Sequence, residues 1–322
     1  APPPSQRTPI FTELQRVFAH LQMGLQPVVD AKDLVSACED LPMTYGPFQQ
    51  NDAAEFFMLL GEHLEDALKG TPQARLLQDC FGGKLVQQVL WEQDGQRKVS
   101  EREEAFFQIE LGVKGSPDIQ HALQQMVDGE ALEGENAYQL DSGEKVDARK
   151  RICLGALPET LIIQLKRFQL DFETMNNQKL NSECRFPMKI DLEPFTKHGL
   201  EAGASQHPSP AAHQWFELVG VLVHAGTSNF GHYFSYIRSR EGQQPWLTFN
   251  DRQARRVPLQ LVHLAPRLSV PYQRPTALHP IGTKISTQIS THRPPALPLP
   301  THRTLLLPFL DPRRSLPSTS LS

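Results

Sequence analysis

Residues 217–251 constrain the fold of this chain more than any other stretch, because they have the pattern of three consecutive strands. The apolar, valine-rich run 218–223 is typical of a buried strand. After a glycine-bearing loop, residues 231–238 alternate between two faces as a second strand does. A turn at 241–245 leads into a third strand that ends in Asn250 and Asp251. The stretch therefore predicts adjacent strands that bring polar side chains together.

One histidine in this stretch has the surroundings that a catalytic histidine needs. His232 and Asn250 fall on adjacent predicted strands, so their side chains can meet. An amide that accepts a hydrogen bond from a ring N–H fixes the tautomer and the orientation of an imidazole. A Cys-His-Asn set is a known variant of the nucleophile, base and orienting group. The alternative is a histidine that is merely satisfied within a β-sheet, but Gly-His-Tyr at 231–233 and Phe-Asn-Asp at 249–251 favour catalysis.

The stretch resembles the histidine box of the ubiquitin-specific proteases, a family of papain-like cysteine peptidases (peptidase C19). Val-His-Ala-Gly at 223–226, Gly-His-Tyr-Phe-Ser-Tyr-Ile-Arg at 231–238 and Trp-Leu-Thr-Phe-Asn-Asp at 246–251 match that box. By position, the resemblance implies that His232 is the general base, Asn250 its orienting partner and Asp251 an auxiliary group.

A second motif implies where the substrate binds. Gln-Asn-Asp-Ala-Ala-Glu-Phe at 50–56 resembles the family segment Gln-x-Asp-x-x-Glu-Phe, whose acidic residues receive the basic C-terminal tail of ubiquitin. Asp52 is also a good N-cap with Glu55 three residues later, as in a capping box, and both roles remain open. The resemblance implies a substrate-binding set of Gln50, Asp52, Glu55, Phe168, His224 and Tyr233.

Further motifs follow in family order and imply the architecture. Phe-Gly-Gly at 81–83, the strand at 160–168 and Phe-Pro at 186–187 resemble family segments. The implied fold class is α+β, a papain-like ubiquitin-specific protease fold with a helical thumb, β-rich fingers and a palm sheet. The predicted domains are a disordered leader at 1–9, a catalytic domain at 10–272 (thumb about 10–80, fingers about 81–155, palm about 156–265) and a Pro/Ser/Thr-rich disordered tail at 273–322.

Composition excludes some classes of function. The net charge of −4 gives no argument for a nucleic-acid or anionic-membrane partner, and neither is expected. No apolar stretch is long enough to span a bilayer, and no signal peptide is visible. Four widely spaced cysteines without a Cys-x-x-Cys pair suit a reducing compartment, so we expect an intracellular protein, cytoplasmic and/or nuclear.

Two parts of the family pattern are missing. The family's nucleophile lies in a Gly-x-Thr-Cys-Tyr box, which this sequence lacks, and the chain starts at Ala1 rather than at methionine. We therefore expect an N-terminally truncated domain whose nucleophilic cysteine lies upstream. Many relatives hold zinc through two Cys-x-x-Cys pairs, but residues 91–96 and 138–143 contain no cysteine. No metal and no other cofactor are expected.

The resemblance implies one activity and leaves one alternative. The implied activity is thiol-dependent hydrolysis of the isopeptide or peptide bond at the C-terminal glycine of ubiquitin, with ubiquitin and ubiquitinated proteins as partners. The alternative is a catalytically inactive ubiquitin-binding pseudoenzyme or scaffold. The presence of a Gly-x-Thr-Cys-Tyr box upstream would decide between them.

Overall fold

A computed structural model describes most of the region that the sequence predicts to be folded. Gln50, the leader up to residue 7 and nearly all of the predicted tail lie outside the described residues. The predicted leader up to residue 7 and most of the predicted tail therefore stay predictions. The described ranges are 8–23, 28–43, 52–171, 175–203, 213–228, 231–239, 246–251, 253–264, 267–275 and 304–306.

The first part of the chain is helical, as the predicted thumb requires. Helix α1 begins at Pro9, where a missing N–H costs nothing, and the backbone N–H of Phe11 donates to the Thr8 hydroxyl at 3.3 Å. The apolar faces of the first three helices pack around a small core that includes Ile10, Val17 and Leu34. The elements are α1 (Pro9–Met23), β1 (Val28–Asp30), α2 (Lys32–Ala37), α3 (Ala53–Leu68) and α4 (Leu76–Phe81).

A long hairpin dominates the next part of the chain. Asp-Gly at 94–95 is a sequence signal for a hairpin turn, and the turn lies there. Both residues have positive φ (54° and 69°), which suits the tight turns that match strand twist. The strand at 148–154 pairs with the first strand of the hairpin, on the edge opposite to the second strand. The elements are β2 (Gly83–Gln93), β3 (Gln96–Phe106), β4 (Gln108–Gly112), α5 (Ile119–Asp128), β5 (Glu130–Leu132), β6 (Tyr138–Gln139), β7 (Lys145–Val146) and β8 (Ala148–Leu154).

The remaining strands build the sheet that carries the predicted histidine box. They are β9 (Thr160–Lys166), β10 (Phe168–Asp171), β11 (Asn176–Lys179), β12 (Lys189–Asp191), β13 (Trp215–Leu218), β14 (Gly220–Gly226), β15 (Gly231–Arg238), β16 (Trp246–Asn250), β17 (Gln253–Val257), β18 (Arg267–Gln273) and β19 (Thr304–Leu306), with helices α6 (Lys197–Gly203) and α7 (Leu259–Leu264).

The main sheet has the strand order β12-β13-β18-β14-β15-β16-β17, with β9 paired to β18 and β4 to β9. Strands β10 and β11 form a separate hairpin, and β19 pairs in parallel with β1. Strand β14 is buried along Val221 and Val223, while Trp246 buries the start of β16. Because β14 and β16 flank β15 on either side, the core fixes the strand that carries His232.

Three details differ from the sequence prediction. The helical spacing of apolar residues between 10 and 21 predicts that Phe18 lies on the buried face of α1, but Phe18 is 53% exposed and lines an apolar groove of about 660 Å³ against α3 and α4. The sequence also predicts that Cys153 opens a strand, but Cys153 lies near the end of β8, because that strand already begins at Ala148 with the basic run. Strand β19 falls within the predicted tail. Within the described ranges, no helix combines the length and the apolar character that crossing a bilayer requires.

Candidate active site

The structure brings His232 and Asn250 into direct contact. In the register of β15 with β16, Ser235 faces Phe249, which by extension places Asn250 opposite Phe234. His232 shares the face of Phe234 because the two differ by two positions along a strand. His232 Nε2 lies 2.5 Å from Asn250 Oδ1. The alternation that predicted the three strands therefore also delivers this contact.

The contact decides which ring nitrogen of His232 can act as a base. The amide oxygen of Asn250 can only accept, so the proton of the neutral ring lies on Nε2. The lone pair is then on Nδ1, and the side chain is 43% exposed, which leaves that nitrogen open to an approaching group. The arrangement suits abstraction of a proton by Nδ1.

Asp251 is placed as an electrostatic neighbour rather than as the hydrogen-bonded partner. Its Oδ2 lies 3.7 Å from His232 Nε2, which is longer than a hydrogen bond, and its side chain is exposed. The residue has φ of 49°, a left-handed conformation that turns the chain between β16 and β17.

A polar cavity of about 250 Å³ begins one residue along the chain from His232, because Tyr233 is one of its lining residues. Asp52, Phe168, His224 and Tyr233, four residues of the predicted substrate-binding set, line it. The other lining residues are Gln169, Leu170, Asn177 and Ser228. The cavity therefore lies between the β10–β11 hairpin, the end of β14 with the start of β15, and the first residue before α3.

Asp52 caps a helix and lines the cavity with the same side chain. Its side chain accepts a hydrogen bond from the Ala54 N–H at 2.7 Å and so caps α3. The same carboxylate lines the cavity and acts on its aromatic walls. Burial and then the charge of Asp52 raise the pKa of Tyr233 to about 12, against a hydrogen bond from the Ala53 backbone that lowers it.

His224 is a buried, neutral ring at the base of the cavity. It is 1% exposed, and its ring centroid lies 4.8 Å from that of Tyr233 and 5.4 Å from that of Phe168. Burial, followed by the positive charge of Lys179, lowers the pKa of His224 to about 4, although Asp52 raises it. His224 therefore carries no charge at neutral pH and presents an uncharged wall to the cavity.

Lys179 is a site residue that sequence reasoning missed. Its Nζ lies 3.0 Å from His224 Nδ1 and donates to the backbone oxygens of His224 and Gly226 at 2.7 and 3.0 Å. Nothing in the local pattern at the end of β11 marks this lysine, because its partners are 45 or more positions away. Only the tertiary approach of β11 to β14 creates the contact.

The predicted substrate-binding set is only partly brought together. Glu55 is exposed in the first turn of α3 and is not among the described residues that line the cavity. The reason is helical geometry, since Glu55 lies a turn beyond the cap that points into the cavity. Gln50 lies outside the described residues.

The cysteines of the chain have the character of packing residues. Cys38, Cys153 and Cys184 are buried, and Cys80 is partly buried. Burial raises the pKa of the Cys38, Cys80 and Cys153 thiols, which disfavours the reactive thiolate.

The residues that replace the family's zinc ligands do not fit a thiolate metal site. Trp91 and Tyr138, which begin the two cysteine-free segments, contact each other with ring centroids 5.6 Å apart. Over the described part of the chain, no group of three or more His, Cys, Asp or Glu side chains could hold a metal ion. An aromatic contact thus joins the two segments.

The fold thus combines a helical first part with a main sheet that holds His232 against Asn250. Residues 3–284 match the family model described as ubiquitin carboxyl-terminal hydrolase, and the chain belongs to this family.

Curated relatives agree with this assignment. The chain is 34% identical over 254 residues to a probable ubiquitin carboxyl-terminal hydrolase FAF of Drosophila melanogaster, covering 75% of this chain and 9% of that protein. It is 34% identical over 263 residues to the human ubiquitin carboxyl-terminal hydrolase 24, covering 75% of this chain and 10% of that protein. The chain thus spans about a tenth of the length of these relatives.

A solved structure shows the same fold. The SAGA DUB module of Ubp8, Sgf11, Sus1 and Sgf73 bound to monoubiquitin matches with a TM-score of 0.70 at 20% identity. The match covers 84% of this chain and 60% of that chain. The predicted α+β ubiquitin-specific protease fold is confirmed.

Proposed function

We propose that this chain receives the C-terminal tail of ubiquitin in the cavity beside His232 and contributes the histidine and asparagine of a deubiquitinase active site. The observation that carries the proposal is the 2.5 Å contact between His232 Nε2 and Asn250 Oδ1, one residue along the chain from Tyr233, which lines a cavity together with Asp52. A carboxylate in the cavity suits the basic tail, and an oriented imidazole suits cleavage at its end.

The chemistry follows from the assigned tautomer. His232 Nδ1 takes the proton of a cysteine thiol, and the thiolate attacks the carbonyl carbon of the ubiquitin C-terminal glycine. Asn250 keeps its hydrogen bond to the imidazolium, and the carboxylate of Asp251 stabilises the positive charge at longer range. His232 then gives its proton to the leaving lysine amine, and water hydrolyses the thioester.

A second candidate function is ubiquitin binding without catalysis. The observation in its favour is that the 322 residues contain no Gly-x-Thr-Cys-Tyr box, while burial raises the pKa of three of the four thiols. In that case the cavity would hold the ubiquitin tail and His232 would have no thiol to deprotonate.

A fusion protein separates the two candidates. A segment that contains the family's Gly-x-Thr-Cys-Tyr box is joined to residue 1, and hydrolysis of a ubiquitin–fluorophore conjugate is measured. We expect turnover that is lost when either the grafted cysteine or His232 is replaced by alanine. A fusion that binds ubiquitin but gives no turnover would favour the non-catalytic candidate, and one that does not bind ubiquitin would refute both.

The proposed partners and compartment follow from this activity. Ubiquitinated proteins are the proposed substrates, and the proposed location is intracellular, cytoplasmic and/or nuclear. All four cysteines are free thiols in the described part of the chain, which supports a reducing compartment.

A further inference from the structure

The ammonium group of Lys179 lies at the junction of two segments that wall the cavity. Lys179 ends β11, where it pairs with Phe168 of β10. Its Nζ reaches the end of β14, where it meets His224 Nδ1, His224 O and Gly226 O at 3.0, 2.7 and 3.0 Å. These three acceptors match the three hydrogens of an ammonium group.

The acceptors belong to the segment that leads directly to His232. In the hairpin of β14 and β15, Gly226 pairs with Gly231 and Ala225 pairs with His232. Gly226 adopts a φ of 127°, and a Cβ on Gly231 would come within 2.1 Å of His224 Nε2, so the backbone and the ring are closely packed. Movement of this hairpin end would therefore move His232.

The surroundings of Lys179 disfavour its charged form, so we infer that its contacts compensate for this cost. Burial and then the charge of Arg167 lower the pKa of Lys179. By contrast, the Lys84 side chain is 53% exposed, and its Nζ lies 2.6 Å from the carboxylate of Glu103. Lysine side chains lose several rotatable degrees of freedom when they are fixed, so a partly buried lysine held by backbone oxygens must gain from those contacts.

The contact with His224 also fixes a tautomer. An ammonium group can only donate, so Nδ1 of His224 must accept and the hydrogen of the ring lies on Nε2.

A second hydrogen bond joins the same two segments, because the Ser228 hydroxyl donates to the Asn177 backbone oxygen at 2.5 Å. Lys179 thus acts at the inner end of the junction and Ser228 at the outer end.

We propose that Lys179 is a positioning residue of this site, which holds the end of β14 against the β10–β11 hairpin and thereby sets the placement of His224 and His232 around the cavity. Its effect on ubiquitin rests on the proposed function, whereas its effect on His224 does not. Lys179 itself takes no proton and touches no reacting atom in this role.

The test replaces the ammonium and follows His224 by NMR in the free, full chain. In the parent, long-range ¹H–¹⁵N spectra should show the Nε2–H tautomer and a pKa of about 4 for His224. In Lys179→Met the tautomer preference should weaken, and the pKa should rise because a repelling positive charge is gone while burial remains. The control Lys84→Met removes an exposed lysine and should leave both signals unchanged.

Ubiquitin affinity supplies the functional arm of the same experiment. We expect Lys179→Met to weaken binding about tenfold, the loss that follows if the competent arrangement is populated about a tenth of the time. Lys179→Arg keeps the charge but not the compact three-donor geometry, so it should preserve a low His224 pKa and restore affinity only in part. Lys84→Met should bind as the parent does.

The outcomes distinguish this proposal from the proposed function. If the His224 signals in Lys179→Met match those of the parent, Lys179 is not a positioning residue, and this conclusion does not depend on the measured ubiquitin affinity. If those signals change but the parent does not bind ubiquitin, the positioning role stands and the proposed function fails.

The parent protein offers a measurement that does not depend on the folding of any variant. A clamped Lys179 ammonium should exchange its hydrogens with water more slowly than that of Lys84, and its ¹⁵N signal should persist where the Lys84 signal is lost. Equal exchange at the two lysines would overturn the proposal.

Discussion

Variants of Asp52 can separate an effect on stability from an effect on ubiquitin binding, because one carboxylate caps α3 and also lines the cavity. Asp52→Asn keeps an oxygen that can accept from the Ala54 N–H, and asparagine caps helices about as well as aspartate. The loss of a charge at a helix N-terminus costs about 0.3–1 kcal/mol at most. We therefore expect the melting temperature to change by no more than about 2–4 °C.

The same change should weaken binding of the ubiquitin tail much more. A hydrogen bond to a charged group contributes about 1.5–3 kcal/mol, and about 1.4 kcal/mol corresponds to a factor of ten. The expected loss of affinity is on the order of ten- to a hundredfold. The pKa of Tyr233 should fall from about 12, since the charge of Asp52 raises it, and absorbance at alkaline pH reports this change without any ubiquitin.

Asp52→Ala is the matched comparison. It removes the charge and the cap together, so it should weaken binding to a similar extent and also lower the unfolding free energy by about 0.5–2 kcal/mol. The assay is titration calorimetry with ubiquitin, alongside thermal melting of the three proteins. Unchanged affinity in Asp52→Asn would refute the tail-binding role and leave Asp52 as a helix cap.

Four further predictions follow from the site and its surroundings. The pKa of His224 is about 4 in the folded chain and near 6.5 in the unfolded chain, so the unfolded state binds more protons between these two pH values. The free energy of unfolding should therefore fall by about 3 kcal/mol as the pH falls from 6.5 to 4. Urea melts of His224→Gln should show a weaker dependence on pH. Gly231→Ala should destabilise by about 1–3 kcal/mol through its clash with His224, whereas Gly112→Ala, with open space around it, should be nearly silent in the same melts. Metal analysis should find no stoichiometric zinc, because the Trp91–Tyr138 contact lies in the two segments that lack the family's cysteine pairs. About one zinc per chain would contradict this prediction. The 322-residue chain alone should not cleave a ubiquitin–fluorophore conjugate, and histidine-dependent turnover would show that one of its four cysteines is the nucleophile.

Local patterns predicted the parts of the site that depend on neighbouring residues. The two-residue alternation at 231–238 and the polar pair after the next strand sufficed to bring His232 and Asn250 together, since strand pairing converts sequence alternation into a shared face. The Asp52 cap was likewise predictable, because a cap is formed within a few positions.

The features that sequence reasoning missed depend on distant contacts. The sequence predicts that Cys153 opens a strand, yet β8 already begins at Ala148 with a basic run, and its later residues Cys153 and Leu154 enter the core. The exposure of Phe18 depends on how α1 lies against α3 and α4. Lys179 contacts His224 only because β11 lies close to β14 in the folded chain. The residues next to Lys179 in the sequence do not indicate that contact.

The central claim is that the cavity beside His232 holds the C-terminal tail of ubiquitin. The most direct test compares the affinity of the 322-residue chain for intact ubiquitin and for ubiquitin that lacks this tail, with chemical shifts of His224 and Tyr233 recorded in both titrations. The account predicts at least tenfold weaker binding without the tail, and shifts of both cavity residues only with intact ubiquitin. Equal affinity for the two forms, with both residues unperturbed, would contradict it.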